Sequence, residues 1–253
     1  MRDGARADFV PDPDRGRPVA ANAAGQAPYR PASTKAKGLG TLIPANLAAP
    51  VADSLDAVQR QHGQIDHYVA DALGYDIDTE GPYFIGDDGK KARPFSAEQI
   101  DALGLALDNV EKGAGFIVGD QTGIGKGRVV AGAIRYAHKR GMLPVFVTEK
   151  PDLYGDMWRD LHDIGWDKGL GRPIEMFMTN AGVRVPLDER AVQWVAEAQA
   201  AIDAGDKPPP REGAFSTSQT TDSAARMMHE IRAGTRTPDV VFKIGRASCR
   251  ERV

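Results

Sequence analysis

Apolar positions recur every three to four residues between 46 and 73: Leu47, Val51, Leu55 and Val58, then Ile65, Val69 and Leu73 after Gly63. That period predicts two helices, the second ended by Gly74 as a C′ glycine. Residues 75–94 are polar and turn-rich, with Asp87-Asp88-Gly89, and read as a loop or small hairpin. From Ser96 helical and extended patterns alternate. Ser96 to about Asn109 predicts a helix with Ile100, Leu103, Leu107 and Val110 on one face, and Gly115–Gly119 a short buried strand. Lys126 to Arg140 predicts a helix facing inward through Val129, Val130, Ala133, Ile134 and Ala137, stopped by Gly141. Leu143–Val147 and Ile174–Met178 read as strands around a helix from about Leu153 to Ile164. Arg190 to Ile202 is a further helix, Asp222 caps another through Ile231, and Pro238–Phe242 is the last strand.

Alternating strands and helices predict an α/β fold, a mostly parallel sheet with helices on both faces. Residues 1–40 break that pattern. They carry seven Lys/Arg against four Asp, with five Pro, five Gly, nine Ala and few large apolar side chains. Such a stretch buries too little surface to offset its ordering entropy, so a disordered basic arm or linker is expected. Residues 41–94 are then a helical extension with a loop, and residues 95–243 the α/β domain.

Residues 244–253, Ile-Gly-Arg-Ala-Ser-Cys-Arg-Glu-Arg-Val, follow the apolar run Val240-Val241-Phe242 as an unpatterned basic string. The string looks like a translated sequencing adapter, and on that reading the chain is expected to be the N-terminal fragment of a longer protein. The total charge of −3, with +3 on residues 1–40 and +2 on the last ten, leaves −8 on residues 41–243. The single cysteine, Cys249, excludes a disulfide framework and paired-cysteine zinc sites. No apolar run approaches the roughly 20 residues of a membrane helix, and no secretory signal is visible, so a cytoplasmic location is expected.

The sharpest chemical feature is Asp120-Gln121-Thr122-Gly123-Ile124-Gly125-Lys126-Gly127-Arg128. Strand before and helix after give the context of a phosphate-binding loop. Gly123 and Gly125 let successive N–H groups turn toward phosphate oxygens. The helix N-terminus adds partial positive charge, and Lys126 reaches the β- and γ-phosphates as the catalytic lysine. Two positions depart from G-x-x-x-x-G-K-[ST]: Asp120 stands where the first Gly would be, and Gly127 replaces the hydroxyl residue that ligates Mg2+.

DQTGIGKGR resembles motif I of superfamily 2 helicases, and its GKGR ending is similar to the Strawberry notch family, of bacterial or phage type. Phe146–Leu153 and Asp156–Gly165, with Arg159-Asp160-Leu161-His162-Asp163-Ile164, look like that family's motif Ia region, and Thr41–Leu47 like its entry. The resemblance implies an incomplete RecA-like lobe binding ATP and Mg2+, an ATP hydrolase acting as helicase or translocase on nucleic acid, DNA ahead of RNA. A methylase module accompanies some relatives. It also implies that Gln99, one helix upstream of the loop, reads the adenine. Ser96-x-x-Gln99 is equally a capping box. Thr148, Glu149 and Lys150, at a strand's C-terminal end, would meet the nucleic-acid backbone.

Hydrolysis also needs a strand ending in Asp-Glu. Asp188-Glu189 follows Arg184 and Pro186, which spoil a buried strand, so it reads as a solvated helix start. The true motif is expected beyond Phe242, leaving the fragment inactive alone. His62 and His67 fit no metal spacing, and Trp158, Trp166 and Trp194 read as core or interface anchors. Two alternatives stay open: another class of P-loop NTPase, and a non-catalytic or transcription-related interaction scaffold, for which Gly127 is the best argument.

Overall fold

The computed structural model describes residues 25–119, 124–149, 152–179, 184–216 and 220–244. They form two compact units. The first takes the chain up to Tyr136 and regains Asp163–Gly171; the second holds Ala137–His162 and the chain from Arg172 onward.

The first unit starts with a strap. Strand β1 (Gln26–Pro28) pairs antiparallel with β2 (Leu42–Pro44), Ala27 opposite Ile43. The expectation of a tether through residue 40 is therefore corrected for residues 25–40; residues 1–24 lie outside the described part. Low apolar content was a poor guide because polar anchors hold this segment. The Asp101 carboxylate accepts from Tyr29 Oη at 2.7 Å, Ala32 N at 2.7 Å and Ser33 N at 2.8 Å. Asp66 accepts from Ser33 Oγ at 2.5 Å and Thr34 N at 3.0 Å. Leu39 N donates to Glu98, and Ala97 N to the Lys37 carbonyl. Both anchoring aspartates are buried, so each bond forms away from competing water.

Helices α1 (Ala45–His62), α2 (Ile65–Leu73) and α3 (Ala97–Glu111) pack together. Leu55, Ile65, Val69, Ile100, Leu103 and Leu107 are buried, as the helical period predicted. Gly74 ends α2 in the left-handed conformation, φ 74°. Val110 departs from its predicted face: it sits in the last turn of α3 and is exposed. The stretch read as a hairpin forms a three-stranded antiparallel sheet, β3 (Asp76–Asp78), β4 (Gly81–Ile85) and β5 (Lys91–Ala92), with β4 central.

Two corrections concern the loop's surroundings. Gly115–Gly119 is not a strand; residues 114–119 have no regular structure, and Ile117 is 90% exposed. A strand exists only by pairing, and among the described residues nothing pairs with these five. The predicted helix does form, as α4 (Lys126–Lys139). Its buried face is turned from the predicted one: Val129, Ala131, Ile134, Arg135 and Tyr136 are buried, whereas Val130, Ala133 and Ala137 are half-buried. Polar side chains can occupy a buried face when their ends are bonded. Tyr136 Oη donates to Glu111 at 2.9 Å, and Arg135 is described below.

In the second unit, β6 (Val145–Thr148) leads into α5 (Asp152–Asp163); the chain then forms α6 (Trp166–Leu170) in the first unit. It continues as β7 (Met176–Met178), α7 (Glu189–Asp203), α8 (Thr221–Ala233) and β8 (Val240–Ile244). The sheet is parallel in the order β6-β8-β7, with Val145 opposite Val241 and Met176 opposite Val240. Val240, Val241 and Phe242 are buried on the central strand, and the Phe242 ring lies 5.4 Å from Phe146 and 5.1 Å from Tyr154. Strand β8 runs past the expected boundary at 243, pairing Ile244 with Thr148. Ladder bonds are made by the backbone and are indifferent to the side chains that suggested a break. Thr220, not Asp222, caps α8, accepting from Ser223 N at 3.2 Å.

Among the described residues no helix is long and apolar enough to cross a membrane.

Candidate nucleotide site

Helix α4 starts at Lys126, so Lys126, Gly127 and Arg128 occupy its first turn. The N–H groups of a first turn have no intrahelical acceptor and carry the positive end of the helix dipole. Arg128 N donates to Gly125 O at 3.0 Å, which closes the turn entering the helix. Gly125 has φ +76°, the left-handed region where a side chain is strained. A Cβ at this position would also collide with the Gln99 amide nitrogen. Gly125 is thus required twice over, by backbone conformation and by close approach.

Gln99 is the second fixed point. Its backbone N donates to Ser96 Oγ at 3.3 Å, and Ser96 N donates to Gln99 Oε1 at 3.0 Å. This reciprocal pair is the capping box that starts α3. The amide nitrogen then donates to Ile124 O at 2.8 Å and Gly125 O at 3.3 Å. Both amide hydrogens are committed to the loop, and the side-chain oxygen keeps one lone pair. Gln99 therefore ties the N-terminus of α3 to the entry of α4.

Beside this tie lies a cavity of about 620 Å³. Phe95, Gln99 and Arg128 line one part of it, and Lys35, Lys37 and Arg93 another. Arg128 donates to Asp163 at 3.1 Å and to Pro94 O at 3.3 Å. Arg93 bonds Asp78, Glu80 and the Gly81 carbonyl, which raises its pKa, chiefly through Asp78. The volume falls in the range of small-molecule sites, about 300–1,000 Å³. No periodicity marked Lys35, Lys37 or Arg93 in the sequence, because their convergence depends on the strap. Their charge was the one available signal.

Of the residues picked from sequence, Gln99, Ile124, Gly125, Lys126, Gly127 and Arg128 come together around the start of α4. Asp120, Gln121, Thr122 and Gly123 lie outside the described residues, as does Lys150. In the second unit Thr148 ends β6 and is buried, and Glu149 follows it, exposed. Asp188 caps α7, accepting from Ala191 N at 2.7 Å, which with Ala214 N lowers its pKa. His62 pairs with Asp108 at 3.1 Å, and the Trp194 indole donates to Pro209 O at 3.1 Å.

The residues fit a nucleotide better than they fit a metal. First-turn N–H groups and a neighbouring basic cavity suit a polyphosphate with an attached base. Position 127 has no side-chain oxygen, and among the described residues no group of three His, Cys, Asp or Glu could hold a metal ion. A magnesium ion here would depend on the ligand's own phosphates and water.

Residues 81–185 match a family described as P-loop containing NTP hydrolase pore-1. The chain is similar to human protein strawberry notch homolog 2, 41% identical over 76 residues, which is 27% of this chain and 6% of that protein. It is also similar to protein FORGETTER 1 of Arabidopsis thaliana, 36% identical over 88 residues, 32% of this chain and 7% of that protein. No solved structure matches the chain at a comparable level. The matched region is similar to a P-loop NTPase domain and has mixed α/β content; it holds β6 and β7, which β8, outside it, joins into the parallel sheet.

Proposed function

We propose that this chain carries the ATP-binding part of a nucleic-acid-dependent helicase or translocase, an incomplete RecA-like lobe of Strawberry notch type from a bacterial or phage lineage. The observation that carries the reading is the Gln99 amide bonded to Ile124 and Gly125 where α4 begins, inside the region matching the P-loop family. Lys126 and the N–H groups of residues 121–127 hold the phosphates of ATP, with Mg2+ carried on those phosphates. Gln99 offers its remaining lone pair to the adenine amino group. Thr148, Glu149 and Lys150 meet the nucleic-acid backbone from the C-terminal end of β6.

Bound nucleotide would supply the reactive phosphoanhydride; the residues of this chain bind and orient it. Hydrolysis requires a carboxylate that positions water. Asp188, the candidate the sequence offered, is occupied as a helix cap.

The test is ATP turnover by the full-length protein with and without single-stranded and duplex DNA or RNA. Stimulation by a polynucleotide, abolished by Lys126→Ala, is the expected result. Turnover indifferent to nucleic acid, or untouched by the substitution, would overturn it. The missing hydroxyl at Gly127 favours a second reading, a scaffold that binds nucleotide without turnover; ATP binding with no turnover in the full-length protein is its signature.

A further inference from the structure

The strap from Gln26 to Pro44, expected to be a tether as far as residue 40, is bonded to α2 and α3 through three carboxylates. Three of those bonds frame a short run that reaches the cavity. Ser33 is held by Asp66 and Asp101, and Leu39 N by Glu98. Between these anchors, Lys35 and Lys37 line the cavity with Phe95, Gln99 and Arg128. Lys35 Nζ also donates to the Asp78 carbonyl at 3.3 Å, which leaves two of its three donors for other acceptors.

Charge and hydrogen-bonding capacity restrict what this cavity takes. Four cationic side chains line it, Lys35, Lys37, Arg93 and Arg128, against one carboxylate, Glu80. Arg93 is paired with Glu80 and Asp78 and Arg128 with Asp163, so the uncompensated positive charge is that of Lys35 and Lys37. The wall is therefore rich in donors and poor in acceptors. A ligand rich in acceptor atoms and carrying negative charge fits it; a cationic or donor-rich ligand does not. The cavity adjoins the first turn of α4 through Arg128 and the end of the loop through Gln99. A nucleotide whose phosphates lie on that turn would extend its sugar and base into this space.

We propose that the strap is part of the nucleotide site, and that Lys35 and Lys37 bind the nucleoside half of an NTP, donating to ribose oxygens and ring nitrogens. The inference rests on the nucleotide reading above and deepens it. The strap supplies one wall, and its anchors on Asp66, Asp101 and Glu98 hold that wall in place.

The experiment is calorimetric titration of the full chain with magnesium-ATP and, separately, with magnesium tripolyphosphate, which has the phosphates but no nucleoside. Lys35→Ala/Lys37→Ala should weaken ATP about tenfold and change tripolyphosphate by no more than about twofold. Lys37→Ala alone, at an exposed position, should weaken ATP by about threefold with an unchanged melting temperature. Unchanged ATP affinity in the double variant, with ATP bound by the wild type, overturns the role of the strap and leaves the nucleotide site standing. Equal losses for ATP and tripolyphosphate also overturn it, since the lysines would then act only as a field on phosphate. Failure of the wild-type chain to bind either probe removes the nucleotide reading itself.

Discussion

The Arg135 guanidinium lies over the Tyr75 ring at 4.1 Å, with only 7% of the arginine exposed. It donates to four backbone carbonyls: Leu73 at 2.8 Å, Gly74 at 3.3 Å, Ile164 at 3.3 Å and Gly165 at 3.1 Å. Leu73 and Gly74 end α2, where the helix dipole is negative and carbonyls lack intrahelical donors. Burial lowers the Arg135 pKa, with Tyr75 acting against it, and the carbonyl dipoles and the ring replace water around the cation. Tyr75 Oη donates to Ile164 O at 2.6 Å, and its own pKa is raised by burial.

Arg135→Ala should destabilise the first unit by about 3–5 kcal/mol, because it strands buried carbonyls and empties the space over Tyr75. Arg135→Lys should recover only part of that loss, since an ammonium cannot reproduce the planar fork. Urea unfolding followed by tyrosine fluorescence measures both. A loss under about 1 kcal/mol for the alanine variant would contradict this account of the pin.

Gly125→Ala should cost about 1–3 kcal/mol through left-handed strain. It must also displace the Gln99 amide from Ile124 and Gly125. Gln99→Ala keeps the glycine but removes the same tie. Both should weaken ATP binding, whereas Gln99→Glu should be worse than Gln99→Ala, since a carboxylate would face two carbonyl oxygens. Nucleotide titration ranks the three variants.

The strap anchor predicts a pH effect. Burial pushes the Asp101 carboxyl up to about 7, against the donors Tyr29, Ala32 and Ser33, which pull it down. A carboxyl raised above its unfolded value of about 3.9 stabilises the fold fully below that pH, and its contribution fades as the pH rises toward 7. Asp101→Asn turns an amide toward backbone N–H donors and should cost about 1–3 kcal/mol at pH 4.5. The gap between wild type and variant should shrink by pH 7.5. A gap that is the same at both values would refute the assignment.

Asp239 behaves in the opposite sense. Burial alone would raise it, but Arg172, the Glu175 N–H and His138 hold its carboxyl below the ordinary range. Its contribution is present at neutral pH and is lost as the pH falls through the lowered value. Asp239→Asn should cost about 1–3 kcal/mol at pH 7, part of the Arg172 side chain being in water. The difference in melting temperature should narrow as the pH falls below the ordinary carboxylate range, and a difference that does not change with pH would count against an ionic role.

Local features of this protein were legible in its sequence. Helices α1 to α4, the capping box at Ser96, the glycine that ends α2 and the Asp188 cap depend on periods and neighbours a few residues apart. The glycines and lysine before α4 announced their chemistry because loop conformation and helix start are short-range. Tertiary structure decided what depends on distant partners. Gly115–Gly119 had the composition of a strand and found no ladder among the described residues. Residues 25–40 had the composition of a tether and found Asp66 and Asp101. Arg135 had the charge of a surface residue and found carbonyls 62 and 29 positions away in sequence. Periodicity records which side a residue should face; only the folded chain fixes which buried polar group waits there to bond it.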